Sequence, residues 1–148
     1  MNRSPQKSDE GVLTRVRTLL KAGRTEDALD FIRTYNQSSP GTTNAYGVCL
    51  MRAGHVSKAI EVLRSLVVKP AGVLLKDDVP TRYKVNFATA LFLDNNVFGC
   101  LSVLQEIGDE TDPSVVRLRR EMGRWKQSLS KWERIGYRFL GQVPKRRP

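Results

Sequence analysis

Residues 53–63 read AGHVSKAIEVL, and residues 22–32 read AGRTEDALDFI. Ala, Gly and a later Ala stand at the same places in both, at Ala22/Ala53, Gly23/Gly54 and Ala28/Ala59. Leu29 answers to Ile60, Asp30 to Glu61 and Ile32 to Leu63. In each copy a turn glycine precedes small and apolar residues spaced by three and four, the period of one helix face. A third, weaker copy is DNNVFGCLSVL at 94–104, with Asn95 at the turn, Cys100 at the small position and Leu101 and Leu104 on the apolar face. Another helical run lies upstream of each turn: Val12, Val16, Leu19 and Leu20, then Tyr46, Cys49 and Leu50, then Val85, Phe87, Ala88 and Leu91. The unit is helix, tight turn, helix.

Each part of that unit has a physical reason. Where antiparallel helices cross, a side chain larger than Ala or Cys forces their axes apart, while Gly or Asn enters the left-handed conformation that ends the first helix. One hairpin cannot bury both of its apolar faces, so stacking of like units is expected. Matching positions of Ala28, Ala59 and Cys100 at three helix crossings is the central expectation.

On these residues the chain resembles the tetratricopeptide repeat (TPR) family over about residues 12–112. Gly23, Ala28, Ile32, Tyr35 and Pro40 carry the likeness in the first copy, and Gly47, Gly54, Ala59 and Leu63 in the second. The copies are spaced 31 and then 41 residues apart, against a family period near 34. The resemblance implies an all-α, right-handed stack of about three hairpins plus a C-terminal capping helix, and a role as a non-enzymatic adaptor. It also implies a concave groove lined by the first helix of each repeat. Carried over residue by residue, that groove holds Leu13, Arg17 and Lys21, then Asn44, Val48 and Arg52, then Arg82, Val85, Asn86 and Thr89. Its basic and amide groups resemble a clamp for a peptide carboxylate, and an ordinary solvated basic face accounts for the same residues.

The longer second interval has its source in KPAGVLLKDDVP, residues 69–80, bracketed by Pro70 and Pro80. The favoured reading is that Val73, Leu74 and Leu75 tuck back over an exposed seam; the other is a loop that gates a ligand.

The 148 residues suffice for one domain with a real core. The expected organisation is a disordered tail at 1–8, a helical repeat domain with its closing helix at 9–127, and a basic aromatic segment at 128–148. Cys49 and Cys100 sit in apolar helical patterns and read as small buried hydrophobes in a reducing compartment. With neither a secretory leader pattern nor an apolar run of about 20 residues, a cytoplasmic location is expected.

The formal net charge is +10, and it is unevenly placed. Residues 112–148 hold eleven basic and three acidic residues, a net +8, so any acidic partner is directed to that end. Asp112 and Pro113 mark a helix start. Val115, Leu118, Met122, Trp125, Leu129 and Trp132 then form an apolar stripe flanked by Arg and Lys. Ser130 with Glu133 forms a capping-box pattern that allows a restart, so residues 113–140 are one helix or two. Residues 113–127 are expected to close the stack. Beyond them, Trp132, Tyr137 and Phe139 among Arg124, Lys131, Arg134 and Arg138 form the candidate docking segment.

The expected partner is an acidic protein or peptide, with RNA or an anionic membrane surface as the alternative. No catalytic, cofactor or metal residue is expected, nor a small-molecule substrate. His55, the single histidine, stands in a turn without ligand-spaced neighbours, and Asp109, Glu110 and Asp112 are read as helix capping rather than a calcium loop.

Overall fold

The computed structural model describes residues 5–35, 39–70, 72 and 74–140, excluding the side chains of 5–8, 132, 139 and 140. Eight helices make up the described residues: α1 (Pro5–Lys21), α2 (Thr25–Thr34), α3 (Pro40–Arg52), α4 (Val56–Val67), α5 (Thr81–Leu93), α6 (Val97–Ile107), α7 (Pro113–Ser128) and α8 (Lys131–Leu140). α1 opens inside the stretch expected as a tail. The chain divides into two compact units, Met1–Leu66 and Val67–Pro148, so the division falls within the segment expected as one repeat domain.

The turns α1–α2, α3–α4 and α5–α6 share one hydrogen-bond signature. Gly23, Gly54 and Asn95 all have positive φ, at 72°, 84° and 64°. Each donates to the carbonyl three residues back: Gly23 to Leu20, Gly54 to Met51 and Asn95 to Phe92. The next residue donates five back: Arg24 to Leu19, His55 to Leu50 and Asn96 to Leu91. This pair of bonds is the Schellman motif, which satisfies carbonyls orphaned at a helix end. The following helix then starts identically, with Ala28 donating to Arg24, Ala59 to His55 and Cys100 to Asn96. Ala28, Ala59 and Cys100 are each 0 % exposed, which fits close helix crossings at all three. His55 thus works through its backbone, ending one helix and opening the next.

The N-terminal unit is built around Val12, Val16 and Leu19 of α1, Ala28, Leu29 and Ile32 of α2, Cys49 and Leu50 of α3, and Ala59 of α4. At the α3–α4 contact Gly47 allows close approach, because a Cβ placed there would lie 2.6 Å from Cγ of the fully buried Leu63. Tyr35 ties the end of α2 to α1 by donating its hydroxyl to Asp9 at 2.9 Å. Ser39 and Thr42 form a reciprocal capping box at the start of α3.

In the C-terminal unit α5 is the central element. Tyr83, Val85, Phe87, Ala88, Ala90, Leu91 and Phe92 are all buried, the pattern of a helix covered on most sides. Before it, residues 67–70 and 74–76 run back alongside each other. Val68 and Leu75 form an isolated antiparallel bridge, Lys69 N–H donates to Leu74 at 2.8 Å, and Lys76 N–H donates to Val67 at 2.8 Å. Leu75 N–H is held by the Glu106 carboxylate of α6 at 2.6 Å. In this extended ribbon neighbouring side chains face opposite ways. Leu75 is therefore buried while Leu74 is 57 % exposed, so the expected tuck is made by one leucine and not both; Val73 lies outside the described residues.

The stretch 113–140 forms two helices. Asp112 caps α7 by accepting from Ser114 N–H at 2.8 Å and Val115 N–H at 3.4 Å. The chain extends at Leu129, whose side chain is buried. α8 then restarts with Ser130 N–H on the Glu133 carboxylate at 2.8 Å and Glu133 N–H on the Ser130 hydroxyl at 3.3 Å. No helix among the described residues is long and apolar enough to cross a membrane.

Candidate functional site

The aromatic side chains of the C-terminal unit form a chain through four helices. Phe92 of α5 meets Trp125 of α7 edge-on, with ring centroids 5.6 Å apart. Trp125 meets Tyr137 of α8 edge-on at 5.9 Å, and Tyr137 stacks on Phe98 of α6 at 5.8 Å. These separations suit favourable ring contacts, each worth about 0.5–1.5 kcal/mol beyond area burial. The chain runs from interior to surface: Phe92 and Trp125 are buried, Tyr137 is half-buried and Phe98 is 51 % exposed. Burial pushes the Tyr137 phenol above its ordinary pKa, with the nearby Cys100 adding to the effect.

Concavities lie on both sides of Trp125. One, of about 310 Å³, is walled by α6, α7 and α8 through Val97, Leu101, Met122, Gly123 and Tyr137, with Arg119 and Lys126 supplying positive charge. The other, of about 420 Å³, lies between α5 and α7 and takes in Phe92, Leu118, Glu121 and Arg124. Trp125 borders both. Among the described residues its buried indole Nε1–H finds no acceptor, and neither does the buried Arg119 Nε–H. Buried donors of this kind are rare and cost about 1–3 kcal/mol each. Arg119 spends another nitrogen on the Glu110 carboxylate.

The outer faces of α7 and α8 are strongly basic. Their only acids among the described residues are Glu121, which pairs with Arg124 at 3.0 Å, and Glu133, which is engaged in the α8 capping box. The ion pairs among the described residues leave out Arg117, Arg120, Lys126, Lys131 and Arg134. A sustained positive field over this face follows.

Of the docking residues expected from sequence, Arg124, Lys131, Arg134 and Arg138 are exposed on α7 and α8, and Tyr137 joins the aromatic chain. Trp132 and Phe139 fall within α8, but their side chains lie outside the described residues. The expected groove residues are divided between the two units. Arg17, Lys21, Asn44, Val48 and Arg52 belong to the first, and Arg82, Asn86 and Thr89 to the second. Arg17, Lys21 and Arg52 are exposed and Val48 is half-buried, whereas Asn44 is buried inside its unit. Arg82 lies with its guanidinium 5.5 Å from the centre of the Tyr83 ring. Thr89 turns its hydroxyl back to the Val85 carbonyl at 2.8 Å, and Val85 itself is buried because α5 is covered on more than one side.

Phe98, Arg119, Met122 and Lys126 are the site residues that sequence reasoning missed. Phe98 left a usable signal, a large aromatic residue directly after the buried Val97 and so turned away from it. Of the acidic cluster, Asp112 caps α7 as expected, whereas Asp109 closes the turn before it and Glu110 pairs with Arg119. Asp109 Oδ1 accepts from Thr111 N–H at 2.9 Å and Asp112 N–H at 3.2 Å, and hydrogen bonds from Thr111 and Ser114 hold the Asp109 and Asp112 carboxyls below the usual range. Among the described residues no group of His, Cys, Asp and Glu side chains is placed to hold a metal ion. Both cysteines are free and buried; burial pushes Cys49 up to about 11 and Cys100 up to about 12, against the opposing charges of Arg52 and Arg119. The chain matches no family model, no curated protein and no solved structure.

Proposed function

We propose that this chain is a non-enzymatic adaptor of tetratricopeptide-like build that docks an acidic protein segment on the basic, aromatic face of its C-terminal unit. The build is supported by the three like turns and the buried small residue after each. The observation that carries the function is the half-exposed Phe98 stacked on Tyr137, beside helices whose outer cations outnumber their acids. A protruding aromatic ring offers apolar area at low entropy cost, and the surrounding arginines select a partner of opposite sign. Arg17 and Arg52, exposed on the first unit, are proposed as a separate contact for an acidic peptide, independent of the face on the second.

A second reading, attachment to RNA or an anionic membrane through the same helices, draws on Arg117, Arg120, Lys126, Lys131 and Arg134, which the ion pairs among the described residues leave out. One experiment separates the two. The full chain and its Phe98→Ala and Arg134→Glu variants are titrated with a Glu/Asp-rich peptide containing Leu and Phe, with polyuridylate, and with phosphatidylserine vesicles. Docking to protein requires that Phe98→Ala weaken peptide binding about tenfold, roughly 1.4 kcal/mol, and leave the other two ligands unchanged. Arg134→Glu should weaken all three. Dominant RNA or vesicle binding at physiological salt, or no effect of Phe98→Ala on the peptide, overturns the proposal.

A further inference from the structure

From the cavity walled by α6, α7 and α8 we infer a binding site for a small hydrophobic carboxylate, an aryl or short alkyl acid, with its apolar part against Val97, Leu101 and Met122 and its charged end toward Arg119, Lys126 and the Trp125 indole N–H. The two buried donors without acceptors among the described side chains, Arg119 Nε and Trp125 Nε1, belong to residues bordering this cavity, and it is the concavity that both residues border. Both nitrogens are sealed from solvent as the side chains stand, so a ligand acceptor reaches them through a small rotation of Arg119 or Trp125 and then relieves the cost of leaving them unpaired. A carboxylate brings two acceptor oxygens, and a charged acceptor strengthens each bond it receives.

The rest of the wall sets the other half of the ligand. Val97 is buried, Leu101 and Met122 are half-buried, and Met122 is fixed from behind by Cys100, whose Sγ lies 3.6 Å from the Met122 sulfur. Thioether and branched side chains favour a ring or a short chain. A volume of about 310 Å³ places the cavity at the small end of ligand pockets, which run from about 300 to 1,000 Å³ and hold one or two rings at that end. Acids near the site do not cancel its sign. Glu110 neutralises part of Arg119, but among the described residues no acid borders the cavity itself and Lys126 has no ion pair. The concavity on the other face of Trp125 is larger but includes the Glu121–Arg124 pair, which leaves it without net attraction for an anion.

Gly123 provides a test that leaves the core intact. It borders the cavity, and a Cβ built on it meets nothing within 4 Å, so a leucine there enters the cavity instead of colliding with a neighbour. In a helix interior the replacement also favours folding. The full chain, labelled with ¹⁵N at its indoles, is titrated with 2-naphthoate, octanoate and the neutral 2-naphthamide. The Trp125 indole signal is assigned with Trp132→Phe.

Saturable binding of either acid with a downfield shift of the Trp125 indole proton, and at least tenfold weaker binding of the amide, is expected. Arg119→Gln should weaken the acid about tenfold, and Gly123→Leu should abolish binding while the melting temperature holds or rises. Equal affinity for acid and amide overturns the inference, as does binding that survives Gly123→Leu. A peptide with a free C-terminal phenylalanine serves as the last arm. If it binds where neither free acid does, the cavity reads a chain terminus and the small-ligand assignment falls.

Discussion

Replacing Gly47 by alanine sets two opposed effects against each other at the α3–α4 crossing. An alanine inside a helix is favoured over glycine by about 1 kcal/mol. Here the new methyl group would sit 2.6 Å from Leu63 Cγ and 2.7 Å from its Cδ2, well inside contact distance. Leu63 is 0 % exposed, and the atom pressed hardest is its branch point, so a simple swing of a side-chain tip does not relieve the overlap. Overpacking of this kind costs about 1–3 kcal/mol. The net expectation is destabilisation by about 1 kcal/mol, with Gly11→Ala as the control. That glycine is exposed in α1 with nothing within 4 Å of a built Cβ, so the same replacement should stabilise by close to the full propensity gain. The decisive comparison is made in a Leu63→Ala background, itself destabilised by about 2–5 kcal/mol. With the obstructing side chain removed, Gly47→Ala should reverse sign and stabilise by about 1 kcal/mol, a coupling of about 2 kcal/mol between the two positions. Urea unfolding followed by far-ultraviolet circular dichroism measures all four states. Equal effects of Gly47→Ala in both backgrounds, or stabilisation in the wild-type background, would refute the close crossing.

Two further outcomes follow from caps and thiols. Asn96→Ala removes the carboxamide oxygen that accepts from Gly99 N–H at 2.9 Å at the start of α6, and should cost about 1 kcal/mol in urea unfolding, while Asn96→Asp should cost little. For the thiols, both folded pKa values, about 11 and about 12, lie above an unfolded value of 9.0, so the folded state retains protons that the unfolded state has released. The stability they contribute is complete below pH 9 and is lost as pH rises toward the folded values, at about 1.4 kcal/mol per unit for each thiol. Unfolding free energies at pH 8 and pH 10 should converge for wild type and Cys49→Ala/Cys100→Ala as pH rises; a gap independent of pH counts against the assignment.

Legibility in the sequence follows the range of the interactions. The turns were readable because each is decided by a few adjacent residues: one that tolerates positive φ, then a small side chain five positions on. Asn95 was readable for the same reason despite lacking glycine's freedom, since its short polar side chain tolerates the left-handed region. The break at Leu129 left a local trace in Ser130 and Glu133, and packing of the buried Leu129 decides between rod and bend. The division near Leu66 left only an indirect trace, the stretch at 69–80 bracketed by prolines, in which nothing local distinguishes a link between two units from a loop within one. The cavity beside Trp125 was also illegible. Its walls come from three helices, and a tryptophan on the apolar stripe of α7 reads simply as core until its unpaired N–H is seen in three dimensions.

The placement of Trp125 and Trp132, the chain's only tryptophans, gives the molecule a built-in optical partition. Emission excited at the indole band originates wholly in the unit that begins at Val67, whereas helix dichroism sums over both units. Comparing the two signals along a single melting curve therefore asks whether the halves let go together or in sequence, with no dye attached and no residue changed.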